Sequence, residues 1–220
     1  MIKILSHSNL NDKYNFNIKR KRPEELYNKA SDYFNKETLS MYATSKSMMR
    51  IQEKITNRAL KILDLQKKDS LILDAGCGPG FTTIFLKESG YKTVALDIIS
   101  EFLHFYDIKD LNPIVADMCF PPFKSNIFDA IISISAFQWI FKDLNNRVMR
   151  DNLINLIKFY YRILKPHSKV VIQFYPKSKE IMDEIGKIIT QNTQFKGKFI
   201  IDNPNNPRKR KIYLLMIKGF

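Results

Sequence analysis

The chain has 220 residues, 45% of them hydrophobic, which suits one globular domain with its own core and argues against two domains or a disordered polymer. No apolar run approaches the roughly 18 residues needed to span a bilayer, and residues 1–22 lack the apolar core of a secretory signal. Thirty-six Lys and Arg against 22 Asp and Glu leave a net charge of +14, a surplus that favours polyanionic partners, although heavy Lys, Ile and Asn usage along the whole chain is a compositional alternative.

In chain order, residues 1–22 are polar and Asn-rich and end in Lys19-Arg20-Lys21-Arg22, the pattern of a basic flexible arm; residues 23–220 are expected to form a single domain. Residues 23–42 mix acids with Tyr27, Tyr33, Phe34 and Tyr42, which either pack a short helix or line a lid over a pocket. Over residues 48–65, Met48, Ile51, Ile55, Ala59, Ile62 and Leu63 recur at three- and four-residue steps, predicting an amphipathic helix. Residues 71–75 form a short apolar strand that carries Asp74 and runs into Gly76, Cys77, Gly78, Pro79 and Gly80, after which residues 81–89 read as a helix. Further strands are predicted at 92–96, ending in Asp97, at 113–116, ending in Asp117, and at 128–133. A long helix over 146–164 closes at Lys165-Pro166, a strand follows at 170–174, and a helix at 178–192. Residues 199–202 and 211–217 read as a last antiparallel pair, with the basic run Arg208-Lys209-Arg210-Lys211 where the final strand begins. Strands alternating with helices imply a Rossmann-like α/β fold: a mostly parallel, seven-stranded sheet with helices on both faces.

The stretch from Leu71 to Gly80 is the most informative. A strand, a glycine turn and a helix start build nucleotide sites in doubly wound folds, because glycine has no Cβ and accepts positive φ. The third glycine comes one residue earlier than in the dinucleotide fingerprint, and Asp74 precedes the turn. The segment resembles the Asp-x-Gly-x-Gly-x-Gly motif of class I S-adenosylmethionine-dependent methyltransferases. That cofactor has no phosphate to cradle, and its sulfonium favours a nearby carboxylate. Cofactor binding is therefore expected from Asp74, Gly76, Cys77, Gly78 and Gly80. Asp97 and Ile98 suit the ribose, Asp117 and Met118 the adenine, and Ser133 lies at the end of the next strand.

After the fourth strand the chain runs Ser133-Ile134-Ser135-Ala136-Phe137-Gln138-Trp139, where a methyl acceptor must lie. A flat ring stacks a nucleobase and an amide bonds its edge, so Gln138 and Trp139 are the candidate catalytic contacts and Tyr175 a further one; Trp139 and Phe137 as plain core residues is the other reading. At this point the chain is similar to the small-subunit (18S-type) rRNA guanine-N7 methyltransferase family, over roughly residues 22–219. The similarity lies in Arg22-Pro23-Glu24-Glu25-Leu26, Tyr42, Ile51-Gln52, Arg58-Ala59-Leu60, the glycine motif, Leu96-Asp97-Ile98 and Asp117-Met118. It continues through residues 132–139, Gln173-Phe174-Tyr175-Pro176, Asp202-Asn203-Pro204 and Lys211-Ile212-Tyr213-Leu214. The resemblance implies methyl transfer from S-adenosylmethionine to guanine N7 of small-subunit rRNA, a link to ribosome assembly, and a small zinc-binding activator protein as partner in a heterodimer. The chain departs from the family where Ser45-Lys46-Ser47 replaces Asn-Ser-Arg, leaving Lys46 or Arg50 to supply that cation, and where Asp97-Ile98-Ile99-Ser100 lacks a proline. It ends at Phe220 without the basic tail of the eukaryotic members, which points to archaeal relatives.

Guanine N7 carries an in-plane lone pair and no proton, so no general base is needed, and His7, His104 and His167 are scattered. Two cysteines, Cys77 and Cys119, make neither a zinc site nor a disulfide framework; no metal and a reducing cytoplasm are the expectation, with no membrane attachment. The alternatives are a methyltransferase of a small molecule or protein, and an rRNA-binding assembly factor that keeps the cofactor as a structural ligand.

Overall fold

The computed structural model describes residues 2–6, 16, 21–105 and 113–219. His7, Lys19 and Arg20 lie outside the described residues. The strands are β1 (Lys3–Ser6), β2 (Leu71–Ala75), β3 (Lys92–Asp97), β4 (Pro113–Val115), β5 (Phe128–Ile134), β6 (Leu164–Phe174), β7 (Lys196–Asp202) and β8 (Lys211–Ile217). They form one sheet in the order β4-β3-β2-β5-β6-β8-β7-β1, in which β8 alone runs antiparallel to its neighbours. The seven predicted strands are all present, and an eighth is added. Lys3–Ser6, expected within a flexible arm, pairs in parallel with the outer strand β7, Lys3 beside Lys198 and Ser6 beside Ile201.

The helices are α1 (Pro23–Leu26), α2 (Ala30–Tyr33), α3 (Lys36–Ala43), α4 (Lys46–Leu63), α5 (Phe81–Glu88), α6 (Gln138–Phe141), α7 (Arg147–Ile163) and α8 (Lys179–Asn192), with a 3-10 turn at Ser100–Phe105. The long ones start at side-chain caps. Ser45 accepts from the Met48 amide, Asn146 from the Met149 amide and Ser178 from the Ile181 amide, each satisfying a first-turn N–H that has no helical partner.

Strand periodicity divides the core into two layers. Leu73, Ile131, Val170, Ile172, Leu214 and Met216 face α7 and α8. Their neighbours Ile72, Ala130, Ile132, Val171 and Leu215 face α4 and α5. The apolar face of α4 is Ile55, Ala59 and Leu63, spaced by four.

The widest departure from the expected boundaries falls where α7 meets β6. The helix α7 ends at Ile163 and β6 starts at once, at Leu164, six residues before the predicted strand begins at Val170. Pairing with β5 jumps from Phe128↔Leu164 to Ala130↔Lys169, so the intervening residues bulge out. Pro166 has no N–H for a ladder and His167 takes φ +63°, both compatible with a bulge and not with regular pairing.

Chain direction across the sheet reverses at β2. The chain proceeds outwards through β3 and β4, then returns to place β5 on the other side of β2. The carboxyl ends of β2, β3 and β5 therefore flank a crevice at the switch point, which is where open α/β sheets bind ligands.

Candidate active site

The turn after β2 is built by backbone conformation. Gly76, Gly78 and Gly80 have φ of +77°, +52° and +88°. A Cβ on Gly76 would stand 2.4 Å from the Ala136 Cβ and 2.8 Å from the Met118 Cε, so nothing larger than glycine fits where the turn meets the β4 and β5 loops. A Cβ on Gly78 would meet nothing within 4 Å, because that residue faces open space. Gly80 ends the turn and caps α5.

The turn is clamped to β3. The amides of Gly76 and Cys77 donate to the Leu96 carbonyl at 2.7 and 3.0 Å. Asp97, at the end of β3, accepts from the Gly78 amide through Oδ2 at 2.7 Å and from the Ile99 amide through Oδ1 at 2.9 Å. Burial raises its pKa and those amide bonds oppose the rise. Each oxygen keeps an acceptor site beyond the amide it binds.

These elements enclose a cavity of about 720 Å³, within the range of small-molecule sites, about 300–1,000 Å³. Gly76, Cys77 and Gly78 line it from the turn, Asp97 and Ile98 from the end of β3, and Asp117 and Met118 from the segment after β4. Ser135, Ala136 and Trp139 come from the β5 loop, and Asn146, Met149 and Asn152 from the start of α7. Phe34 and Tyr42 come from the N-terminal helices. They pack on the core and also line the cavity: Phe34 lies 4.8 Å from Phe102 and 5.5 Å from Tyr42, and Tyr42 lies 5.9 Å from Phe81. Tyr33 stacks on Trp139 at 6.4 Å. Tyr42 also holds Gln52, whose Nε2 donates to the Tyr42 hydroxyl at 3.2 Å; burial pushes the Tyr42 hydroxyl up to about 12.

Of the residues expected from sequence, Gly76, Cys77, Gly78, Asp97, Ile98, Asp117, Met118 and Trp139 line the cavity, and Asp74, Gly80, Ser133, Gln138 and Tyr175 do not. Asp74 is held behind the turn, its Oδ2 accepting from the Thr83 hydroxyl at 2.6 Å. Ser133 is fully buried within β5, and Ser135, just beyond the strand, reaches the cavity in its place. The Gln138 amide folds back to donate to the Ser135 carbonyl at 2.8 Å. Tyr175 lies at a separate surface beside Arg22 and Lys211. Gln52, Asn146 and Asn152 were missed by the sequence reading. For Gln52 a signal existed: it is a polar residue on the buried side of a helix otherwise faced by Ile55 and Ala59.

The residues present fit S-adenosylmethionine. Asp97 offers carboxylate lone pairs beside a glycine turn open at Gly78, Met118 and Ile98 offer apolar surface, and Gln52 keeps a buried, unpartnered Oε1 on the cavity wall. Among the described residues Lys29 is the only cation in the wall, a poor match for a polyphosphate. No group of three or more metal-ligating side chains occurs among the described residues.

Several stretches distant in sequence meet in pairs. Arg58 on α4 binds Asp202 on β7 through two nitrogens, at 2.8 and 3.0 Å. The Ser135 hydroxyl donates to Gln173 Oε1 at 2.8 Å. A family model described as "Methyltransferase domain" matches residues 73–172, the span from β2 to β6. The fold resembles a TehB-like SAM-dependent methyltransferase from Corynebacterium glutamicum, with a TM-score of 0.60 over 84% of this chain and 100% of that one at 16% identity. Sequence similarity is closer to enzymes acting on rRNA. The 18S rRNA (guanine-N(7))-methyltransferase of Bos taurus is 32% identical, spanning 91% of this chain and 73% of its own. The 18S rRNA (guanine(1575)-N(7))-methyltransferase of Saccharomyces cerevisiae is 34% identical, spanning 84% and 68%. Identity of this level over most of both chains, on a fold whose glycine turn and Asp97 frame a cofactor-sized cavity, makes the protein a member of the 18S rRNA (guanine-N7)-methyltransferase family.

Proposed function

We propose that the protein transfers a methyl group from S-adenosylmethionine to N7 of a guanosine in small-subunit rRNA, as a step linked to ribosome assembly. The cofactor supplies an electrophilic methyl on a sulfonium. Asp97 would take the ribose hydroxyls with the lone pairs its two amide bonds leave over, and the open backbone at Gly78 would let the nucleoside lie against the turn. Asp117 and Met118 would meet the adenine. Trp139, which lines the same cavity with Ser135 and Ala136, suits the flat face of the acceptor base, which must leave its stack to enter. Gln138 serves by fixing the Ser135 carbonyl rather than by reaching the base.

Alignment does the catalytic work. N7 has no proton to remove, so the residues need only hold acceptor nitrogen, methyl carbon and sulfur in line, about 3 Å apart, and exclude water. Phe34, Tyr42 and Trp139 provide that exclusion. The observation that carries the proposal is that Asp97, the glycine turn and Trp139 line one and the same cavity, in a chain 32–34% identical to the named rRNA enzymes.

For the small zinc-binding activator the support is the resemblance together with one surface. Among the described residues β4 has no strand on its outer side, and Val115 on it and Phe105 ahead of it are exposed. Among the described residues no helix is long and apolar enough to cross a membrane; a cytoplasmic site of action is part of the proposal, resting on the cysteine usage. Labelled cofactor incubated with small-subunit rRNA, with and without a candidate activator, should place methyl at guanine N7, read by cleavage at the modified base after reduction. Methyl found only in a protein or metabolite would reject the assignment.

A further inference from the structure

Two basic segments from opposite ends of the chain meet on one aromatic ring. The Arg22 guanidinium carbon lies 4.3 Å from the centre of the Tyr175 ring, and the Lys211 Nζ lies 5.2 Å from it. Arg22 also donates to the Tyr175 carbonyl at 3.2 Å, and Lys211 to the Tyr175 hydroxyl at 3.4 Å. Both cations are half-buried, which means each has given up hydration to stand beside the other. Among the described residues no carboxylate forms an ion pair with either. Two like charges gathered on one ring repel each other, and the cation–π contacts, with Glu24 beside Arg22 and Asp202 across the ladder from Lys211, compensate only in part. An anion lying over both would remove the repulsion.

The surroundings extend the same charge. Arg208 and Lys209 are exposed on the loop before β8, and their amides are held in place by Asn206 Oδ1 at 3.2 Å each. Arg210 anchors that loop through its donation to the Pro204 carbonyl at 3.0 Å. Tyr175 follows the carboxyl end of β6, and Lys211 opens the antiparallel β8, so the cluster lies at the same end of the sheet as the cavity.

We propose that Arg22, Tyr175 and Lys211, with the 208–211 loop, form a phosphate-binding platform that holds the RNA strand flanking the base in the cavity. The platform rests on the rRNA reading above. Tyr175 is the organiser: its ring and hydroxyl set the spacing of two cations, which bind phosphates rather than read bases. The observations favour a strand of nucleic acid because Lys211, the exposed Arg208 and Lys209, and Arg22 on the Tyr175 ring gather at the end of the sheet where the cavity opens.

The test compares two double variants of the full chain. Arg22→Gln with Lys211→Gln removes the platform; Lys68→Gln with Lys92→Gln removes the same charge at the opposite, amino end of the sheet. Binding to a small-subunit rRNA fragment is measured across a salt series, and cofactor affinity and melting temperature are measured alongside. The platform variant should bind RNA about tenfold more weakly at physiological salt, with a log–log salt slope flatter by about 1.4, the value for two single-strand phosphate contacts. Cofactor affinity should stay that of the wild type. If the double variant fails to fold, Arg22→Gln and Lys211→Gln singly should each flatten the slope by about 0.7. Equal weakening by both double variants means bulk charge and overturns the platform. Wild-type binding by the platform variant, with the wild type methylating rRNA, overturns the platform and leaves the function standing. Failure of the wild type to bind or methylate rRNA overturns both. Platform-dependent binding to vesicles of anionic lipid, without RNA binding, assigns the tract to a membrane and also overturns it.

Discussion

Asp74 is 1% exposed, with Oδ2 accepting from the Thr83 hydroxyl and Oδ1 without a partner. Burial is the main cause that pushes its pKa up to about 7, with the neighbouring Asp97 carboxylate adding to it and Thr83 opposing. The folded value lies above the unfolded one, near 3.8, so the folded chain binds the proton more tightly. This residue's contribution to stability is full below pH ~4 and is lost as pH rises to ~7. Asp74→Asn keeps the acceptor for Thr83 and removes the ionisation. It should therefore melt higher than the wild type at pH 8, by a few degrees for each kilocalorie recovered, about 2–4 °C at this size, with the gap closing by pH ~4.5. Calorimetric scans without cofactor at both pH values check this; a gap that does not change with pH removes the buried-acid argument. The same residue shows what sequence reveals at this scale. Chain position identified the turn and placed Asp97, because backbone conformation and strand ends are local. The direction of a side chain is not local: Asp74 points behind the turn, and Ser135 rather than Ser133 reaches the cavity, two residues further along where the strand has ended.

The elements over the cavity belong to a small cluster of their own. Leu39, Ile99 and Phe102 are buried together with Phe34 and Tyr42 packed on them, separate from the two layers of the sheet core. Edge-on aromatic pairs contribute about 0.5–1.5 kcal/mol each, and Phe34 makes them with Tyr33, Phe102 and Tyr42. Elements with few links to the main core open locally at lower cost than the whole fold. Phe34→Ala should then raise amide exchange in α3 about tenfold or more and weaken cofactor binding about tenfold, while exchange in β5 stays as in the wild type. Equal acceleration in α3 and β5 would show that the roof and the sheet unfold as one unit. Long elements were legible because three or four turns of periodic apolar residues, or a run of buried aliphatics, carry their own signal, as in α4, α7 and β5. The four-residue helices α1 and α2 and the edge strand β1 carry no period, and tertiary contacts stabilise them. The bulge in β6 was hidden for a similar reason: Pro166 reads as a helix stop, and only pairing with β5 shows that the chain is already in the sheet.

At the scale of the whole molecule, the sheet supplies the rigidity and the crevice the specificity, and the two can be separated by linkage. A ligand that binds only the folded chain adds stability by mass action, about 2.7 kcal/mol at a hundredfold excess over Kd. For 220 residues that is a rise in melting temperature of roughly 5–10 °C. Asp97→Ala strips the carboxylate from the cavity wall and leaves the Gly78 and Ile99 amides without their acceptor, so the variant starts from a lower melting temperature. The informative quantity is the increment on adding S-adenosylmethionine. A hydrogen bond to a charged group is worth about 1.5–3 kcal/mol, or at least tenfold in affinity. The wild type should therefore gain its full increment at a cofactor concentration where Asp97→Ala gains about half or less. Arg58→Ala, which breaks the ion pair to Asp202 between two residues that do not line the cavity, lowers the starting point through the link between α4 and β7 and should keep the full increment. Should Asp97→Ala and Arg58→Ala respond alike to the cofactor, the loop between β2 and β3 would be a structural hinge, and the cofactor would have to bind elsewhere on the sheet.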